Sequence, residues 1–253
     1  MGLKDAPAES RERREFASEL KFLIPSDKVD AVRTWARTHL EADPHGTGSD
    51  GDTYQVTSLY FDTQRFDVFH GNGSFGRSKY RVRRYNGDEV VFLERKTKTN
   101  TWVSKRRSPV GIDLLPLLEE AEPDSLWSGF WFHRRLLGRR LNPVCQINYL
   151  RTARIGMAEG FPVRMTLDRE LRATAIAHQC YDDSSTGTPL LEQGWIMELK
   201  YRHALPALFK RLITELAPPP KRISKYRLAV NALGLGEAIE TKTQKPQAET
   251  VDA

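Results

Sequence analysis

The chain contains 253 residues, of which 39% are hydrophobic and 28% are charged. Lys and Arg outnumber Asp and Glu by 39 to 33, and the net charge of +6 favours anionic partners: nucleic acid, an anionic membrane or a phosphorylated substrate. No stretch approaches the roughly 18 consecutive apolar residues of a membrane span, and Cys145 and Cys180 form no CxxC pair, so neither a zinc site nor a redox motif is indicated.

The chain is predicted to form one domain between two polar ends. Residues 1–13 and 237–253 have the composition of disordered tails, and the segment between them, 14–236, contains no long linker and no internal repeat. The N-terminal segment lacks the apolar core of a signal peptide, and Ala6 stands where a myristoylation signal carries Ser or Thr. We therefore expect a cytoplasmic protein without an integral membrane segment.

The first predicted elements are a strand, a helix, a loop and a second strand, over residues 15–24, 26–41, 43–53 and 54–61. Pro25 ends the first strand, and Ser26 is a favourable N-cap for the amphipathic helix. An antiparallel meander follows, with strands over residues 77–85, 88–98 and 101–110. Asn86-Gly87 is a strong signal for a hairpin turn between the first two of these strands.

The second half of the chain is predicted to mix helices and strands. Residues 112–141 have a helical pattern that is broken near Pro123. Four more strands are expected over residues 143–154, 162–168, 171–178 and 194–202. Apolar residues at i, i+3 and i+4 predict a helix over 205–216, and Ser224 begins a last helix. About eight main strands with intervening helices predict an α+β fold, a closed antiparallel β-barrel with helices packed outside.

Cationic residues recur at every second position of several predicted strands, which places them on one face of the sheet. If the sheet closes into a barrel with helices outside, this face lines a tunnel. The cations expected there are Lys21, Arg81, Arg83, Lys96, Lys105, Arg151 and Lys200. The carboxylates on the same faces, Glu19, Glu94 and Glu198, are too few to neutralise them, so the tunnel is predicted to bind phosphate groups.

Carboxylates beside a phosphate site also indicate Mg²⁺ or Mn²⁺, which proteins hold through one or two carboxylates plus phosphate and water. Glu198 is the best candidate ligand, because it shares a strand face with Lys200, and Asp168 could be a second acid. The ordinary alternative for any single Glu is a salt bridge to a neighbouring strand. Ser224 could offer phosphate the free N–H groups of a helix start, or could be a simple N-cap.

Other chemistries have weaker support. The glycine-rich loop at Gly71, Gly73 and Gly76 is not plainly followed by a helix, so it does not indicate a Rossmann phosphate site, and no GxxxxGK[ST] or GxSxG motif is present. The six histidines have no metal-site spacing. RNA binding by a basic sheet is a weaker alternative, but the aromatic-basic pattern of an RNA-recognition motif is absent, so we expect no nucleic-acid partner.

Seven segments follow one another through the chain as ELKFLI, TSLYFDT, KYRVRRY, FLERK, YLRTA, MELKY and SKY, beginning at residues 19, 57, 79, 92, 149, 197 and 224. Together they resemble the VTC domain, the polyphosphate polymerase domain of the vacuolar transporter chaperone complex, within the CYTH-like triphosphate tunnel metalloenzymes. The resemblance spans about residues 14–235. Ala17 stands where the wider tunnel family carries Glu, which favours a polymerase over a triphosphatase, and the chain resembles a stand-alone bacterial member.

This resemblance implies a phosphotransferase that moves the ATP γ-phosphate onto a growing inorganic polyphosphate chain, with Mn²⁺ or Mg²⁺ as cofactor. The residues implied to act on the phosphates are Lys21, Arg81, Arg83, Lys96, Lys105 and Arg151, and those expected to complete the nucleotide and phosphate site are Tyr149, Lys200, Ser224 and Lys225. Glu198 is implied to hold the metal. A tripolyphosphatase or nucleoside triphosphatase, or a non-catalytic polyphosphate-binding module, remain alternatives.

Overall fold

The computed structural model describes residues 18–46, 51–98, 103–179, 181 and 186–236. The predicted tails, 1–13 and 237–253, lie outside this part of the chain, as does Cys180. The strands are β1 (Ser18–Ile24), β2 (Glu41–Ala42), β3 (Thr53–Asp62), β4 (Ser78–Tyr85), β5 (Val90–Lys98), β6 (Val103–Gly111), β7 (Asn142–Ala158), β8 (Phe161–Ala175), β9 (Thr188–Pro189) and β10 (Trp195–Tyr201). The α-helices are α1 (Val29–His39), α2 (Asp67–His70), α3 (Phe130–Arg139), α4 (Ala207–Leu216) and α5 (Lys225–Ala232).

One antiparallel sheet organises the molecule. Its hydrogen-bonded order is β1-β10-β8-β7-β3-β4-β5-β6, with the short strands β2 and β9 paired to β7 and β8. The fold is therefore α+β, as the sequence predicts. The meander of β4, β5 and β6 is confirmed, and its first hairpin turns at Asn86 and Gly87, which both have positive φ. None of the helices in the described part of the chain is long and apolar enough to span a membrane.

One prediction about elements in the second half was wrong, and another was confirmed. Residues 162–168 and 171–178 do not form separate strands, because β8 continues pairing with β7 through an irregularity at which Glu170 takes a φ of 53°. The polar residues of this bulge have the sequence pattern of a turn, which is why the sequence predicted two strands. Residues 112–141 contain a 3₁₀-helix, Ile112–Glu119, and α3, and the predicted break at Pro123 lies between them. Proline removes a helical hydrogen-bond donor, which is consistent with the interruption.

The sheet curls strongly, although hydrogen bonds do not close it. Strands β1 and β6 end the hydrogen-bonded path, and no pairing between them occurs among the described residues, so a closed barrel is not confirmed. The curl brings Lys96 of β5 within 2.9 Å of the Glu19 carboxylate on β1. The outer edge of β1 is met by coil, where the N–H of Lys221 donates to the carbonyl of Lys21 at 2.8 Å.

Apolar residues alternate with the charged ones and pack beneath helices on the outer face. Phe22 of β1, Met197 of β10 and Phe209 of α4 belong to one buried cluster, which α1 also covers. A second cluster joins the outer faces of β3, β4 and β5 to α3, with Phe132 fully buried. This burial drives the sheet and helices together and leaves the charged residues on the opposite, concave side.

A buried carboxylate fixes α5 against the sheet. Asp62, at the end of β3, accepts hydrogen bonds from the N–H groups of Thr63, Val68 and Phe69 at 2.7, 2.8 and 2.9 Å. The hydroxyl of Tyr226 in α5 also donates to Asp62. The contact holds the first turn of α5, and therefore Ser224 and Lys225, at the charged side of the sheet.

We predict that Tyr226→Phe lowers the free energy of unfolding by about 1–3 kcal/mol, because it removes a hydrogen-bond donor from a fully buried carboxylate. Urea denaturation followed by circular dichroism measures this. Tyr201→Phe, which removes a hydroxyl on the other side of the sheet, should change the value by less than about 0.5 kcal/mol. Equal effects of the two substitutions would contradict this role for Asp62.

Candidate functional site: the charged inner face of the sheet

The strand register places the predicted cations on the concave side of the sheet, which we call the inner face. In β4, β5 and β6 the cross-strand pairs are Lys79 with Lys96, Arg81 with Glu94, Lys96 with Lys105, and Glu94 with Arg107. Residues that lie opposite each other in a sheet point to the same side. These strands therefore contribute a two-dimensional array of basic groups.

One buried acid forms ion pairs with three cations at the centre of this array. Glu94 is 2% exposed, and its carboxylate lies 2.6 Å from Arg81 Nε, 3.3 Å from Lys105 Nζ and 3.5 Å from Arg107 Nε. Burial alone would raise the pKa of Glu94, but the surrounding cations, Arg81 foremost, hold it well below its ordinary value. The carboxylate is thus ionised, and the group around it keeps an excess of positive charge.

Arg83 is a buried guanidinium whose partners are hydroxyl groups. Its Nε donates to Ser58 Oγ and its Nη2 to the Tyr149 hydroxyl, both at 3.1 Å. Within the described part of the chain, no carboxylate lies at ion-pair distance from Arg83, which is 5% exposed. Glu94 attracts Arg83 only from beyond ion-pair distance. Because a buried charge without a counter-charge in contact is costly, this arrangement favours an added anion.

Two buried acids, Asp168 and Glu198, lie together on β8 and β10. Arg151 contacts Asp168 through two hydrogen bonds of 2.7 and 2.8 Å. Lys225 Nζ lies 2.6 Å from Asp168 Oδ2 and 3.2 Å from Glu198 Oε1, and Lys21 Nζ lies 3.4 Å from Glu198. Burial opposes ionisation of Glu198, but Lys225 and Lys21 hold its pKa well below the ordinary value.

This acid pair has the donor chemistry that Mg²⁺ or Mn²⁺ needs. Thr166 is the cross-strand partner of Glu198, and its buried Oγ1 has no hydrogen-bond partner. Two carboxylates and a hydroxyl suit a hard cation that takes its remaining ligands from phosphate and water. No cluster of three or more His, Cys, Asp or Glu side chains that could hold a metal exists among the described residues. The pair Asp168 and Glu198 therefore fits such a cation only together with a phosphate ligand.

Lys200 and the start of α5 complete the site. Lys200 lies opposite Glu19 and Arg164 in the register, and burial lowers its pKa to about 7. Ser224 is the N-cap of α5, since its Oγ accepts from the N–H of Arg227 at 3.4 Å. The helix start therefore opens onto the inner face.

Lys79 and Arg107 are inner-face residues that the sequence-based list of site residues omits. The ammonium of Lys79 donates to Ser224 Oγ at 2.9 Å, and burial lowers the pKa of Lys79 to about 8. Arg107 contacts Glu94 and lies over the Phe92 ring at 3.5 Å. Lys79 and Arg107 follow the same every-second-residue pattern as Arg81 and Lys105, which places all four on one face of the sheet. This pattern could have added Lys79 and Arg107 to the predicted site.

The structure brings all of the predicted site residues to this one face, directly or through the first turn of α5. They are Lys21, Arg81, Arg83, Lys96, Lys105, Tyr149, Arg151, Glu198, Lys200, Ser224 and Lys225. Their roles in binding or catalysis stay predictions. The cations come from β1, β4, β5, β6, β7, β10 and α5, so positive charge extends across most of the inner face.

Comparison with known proteins identifies the family. The family description that matches is "VTC domain", over residues 16–234. A candidate adenylate cyclase from Bacillus halodurans shares the fold, with a TM-score of 0.53 and 14% identity over 84% of this chain and 96% of that chain. A search of curated proteins found no match.

Two further solved structures match with lower TM-scores. PH1819 from Pyrococcus horikoshii is 16% identical over 85% of this chain and 99% of its own, with a TM-score of 0.47. A candidate adenylyl cyclase from Hippeastrum, described as having a dominant triphosphatase activity, is 15% identical over 86% of this chain and 96% of its own, with a TM-score of 0.46.

Glu94→Gln tests the charge balance of the inner face. We predict a loss of about 3–5 kcal/mol in the free energy of unfolding, because three cations would lose their shared buried counter-charge. Urea denaturation measures the loss, with the exposed Glu215→Gln as the control. Tripolyphosphate should raise the melting temperature of the variant more than that of the wild type. A stability within about 0.5 kcal/mol of the wild type would contradict this account.

Lys79→Met tests whether this lysine binds the anion. Lys79 has a lowered pKa of about 8, so above that pH its amine must take up a proton to pair with a phosphate, and affinity should fall as pH rises. We predict that the slope of log Kd for tripolyphosphate against pH, between about 8 and 9, is smaller by up to about one in Lys79→Met than in the wild type. Isothermal titration calorimetry measures both slopes.

Tripolyphosphate also changes its protonation with pH, but it contributes equally to the slopes of the wild type and of Lys79→Met, so the difference between the two slopes reports on Lys79. The charged groups that act on Lys79 are Tyr60, Lys21, Arg227 and Lys96. Lys28→Met, which removes an exposed lysine on the outer side, serves as the control and should keep the wild-type slope. An unchanged slope in Lys79→Met would show that Lys79 does not bind the anion.

Proposed function

Because this chain belongs to the VTC domain family, we propose that it is a polyphosphate polymerase that transfers the γ-phosphate of ATP to inorganic polyphosphate. The observation that carries the proposal is the excess of cations over carboxylates on the inner face, where most of the cations are half-buried and Arg83 is buried with its hydrogen bonds going to hydroxyl groups. A chain of phosphates supplies negative charge continuously along such a surface. In this proposal the curled sheet forms a tunnel around the polymer.

The cations would bind the phosphates and hold the reacting groups in line. Arg81, Arg83 and Arg151 offer planar forks that match phosphate oxygens, whereas lysines such as Lys96 act as point charges. Phosphoryl transfer depends mainly on positioning and on stabilising the charge of the transition state. A rigid array on neighbouring strands meets both requirements, because the strand register fixes the spacing of the groups.

Asp168 and Glu198 would hold the Mn²⁺ or Mg²⁺ ion. The ion, when bound, supplies charge stabilisation to the phosphate oxygens. The two acids would position the ion, and Lys21 and Lys225 would bind phosphate oxygens. The pKa of both acids is lowered, so they are ionised at neutral pH despite their burial.

The acceptor in the reaction would be the terminal phosphate of the polymer. One of its oxygens attacks the γ-phosphorus of ATP, the bond from that phosphorus to the bridging oxygen breaks, and ADP leaves with the electron pair. The chain grows by one phosphate. No side chain needs to form a covalent intermediate, and an enclosed inner face would exclude the water that competes with the polymer.

The test of this proposal is incubation of the purified protein with ATP and Mn²⁺, followed by a gel stained for polyphosphate. We predict a ladder of long chains that falls by at least about 100-fold in Lys96→Ala, Arg81→Ala and Glu198→Ala. Circular dichroism checks that the variants remain folded. Arg135→Ala, at an exposed position of α3, should keep the wild-type rate.

Other outcomes of this incubation would indicate other functions. Free phosphate without chains would indicate a triphosphatase that uses water on the same face. Tight binding of polyphosphate with a steep salt dependence and no turnover would indicate a binding module. Wild-type turnover in all of the inner-face variants would contradict the site itself.

A further inference from the structure

The ammonium of Lys225 lies between the two acids that the proposed function assigns to the metal. Lys225 Nζ is 2.6 Å from Asp168 Oδ2 and 3.2 Å from Glu198 Oε1. All three side chains are buried, with Lys225 only 9% exposed. A lysine that bridges two carboxylates is an internal cation in the position where a divalent ion would contact the same oxygens.

The two cations exclude each other at this position. Mg²⁺ requires oxygen ligands at about 2.0–2.1 Å, and an ammonium that already contacts the same oxygens leaves no room for it. The repulsion between the two positive charges is also strong in a buried site. A metal that bridges Asp168 Oδ2 and Glu198 Oε1 therefore has to displace Lys225.

The ammonium of Lys225 depends on these two acids for its counter-charge. Among the described residues, its ion pairs are with Asp168 and Glu198. A buried ammonium without a counter-charge is costly, so Lys225 needs another anion to pair with once it is displaced from both carboxylates.

We propose that Lys225 is a built-in counter-ion, which occupies the cation position between Asp168 and Glu198 until a metal–phosphate ligand binds and draws the ammonium onto the phosphate. This inference rests on the proposed function for the identity of the metal and the anion. It adds that metal and lysine compete for one position, and that phosphate resolves the competition.

The surrounding structure permits the side chain to move while the helix stays in place. Lys225 is the first residue of α5, and its neighbour Tyr226 anchors the helix to Asp62. The four-carbon stem of lysine is flexible. Its ammonium already lies 5.1 Å from the centre of the Tyr149 ring, and the hydroxyl of Tyr149 accepts from Arg83. A short movement past this ring would take Lys225 towards the array of phosphate-binding cations.

The consequence is coupling between metal and phosphate. A metal alone has to leave Lys225 unpaired, so its affinity is low. A metal that arrives with phosphate provides the ammonium with a new partner, so the two ligands bind cooperatively. The site would thus take up the divalent ion together with its phosphate substrate.

Metal affinity in the absence of any phosphate tests this inference directly. Free Mn²⁺ is measured by electron paramagnetic resonance during titration of the full-length protein. We predict that Lys225→Gln lowers the Kd for Mn²⁺ by at least about tenfold relative to the wild type. The matched control is Lys105→Gln, which removes one inner-face charge near Glu94 and should change the Kd by less than about threefold.

Glu198→Gln in the Lys225→Gln background should abolish the gain, which assigns the gained site to this acid pair. Lys225→Met is a second variant that also removes the charge, and melting curves confirm that each variant is folded. A Kd in both Lys225 variants no lower than in Lys105→Gln would overturn the inference, as would a gain that survives Glu198→Gln.

Failure of this inference can be told apart from failure of the proposed function. If the wild type makes polyphosphate with Mn²⁺ and the Lys225 variants bind Mn²⁺ no more tightly, only the inference fails. If turnover needs Mn²⁺ but is unaffected by Glu198→Gln, the proposed metal site is wrong as well.

Discussion

The crowding of more positive than negative charge, on buried and half-buried side chains, on one side of a single sheet is the constraint on which this structure depends. Glu94, Asp168 and Glu198 each contact at least two cations, and Arg83 pairs with hydroxyl groups. Buried like charges repel one another and lose hydration. The outer apolar clusters must therefore hold the sheet in its curled form against this repulsion, and an anionic ligand would relieve it.

The apolar side and the charged side of the sheet both result from one alternation of apolar and charged residues in the sequence. Even and odd positions of each strand separate apolar from charged side chains, so the helices that cover the apolar side leave the charged side facing itself across the curl. The ion pair between Lys96 and Glu19 bridges strands that are far apart in the hydrogen-bonded order. The segment before α5 meets the edge of β1, and Asp62 fixes α5 itself. The helix thereby delivers Ser224 and Lys225 to a surface otherwise built from strands.

The alternation explains why most of the site was predictable from the sequence. Charged residues two apart, such as Arg81 and Arg83, assign a face without any knowledge of the partner strand. Long-range geometry was not predictable in this way: the bulge at Glu170 has the composition of a turn, and hydrogen-bond closure of the barrel depends on how β1 and β6 approach each other. The bridging of Asp168 and Glu198 by Lys225 depends on α5 crossing to the inner face, which no local pattern encodes.

Transfer of a phosphate to a phosphate is the central claim, and labelled ATP tests it most directly. ATP labelled in the γ-phosphate is incubated with unlabelled tripolyphosphate, Mn²⁺ and the protein, and the products are separated by chain length. The account predicts that label appears first in a chain one phosphate longer than the acceptor. Label found only in orthophosphate, at any concentration of acceptor, would contradict it, because water rather than polyphosphate would then be the acceptor on the inner face.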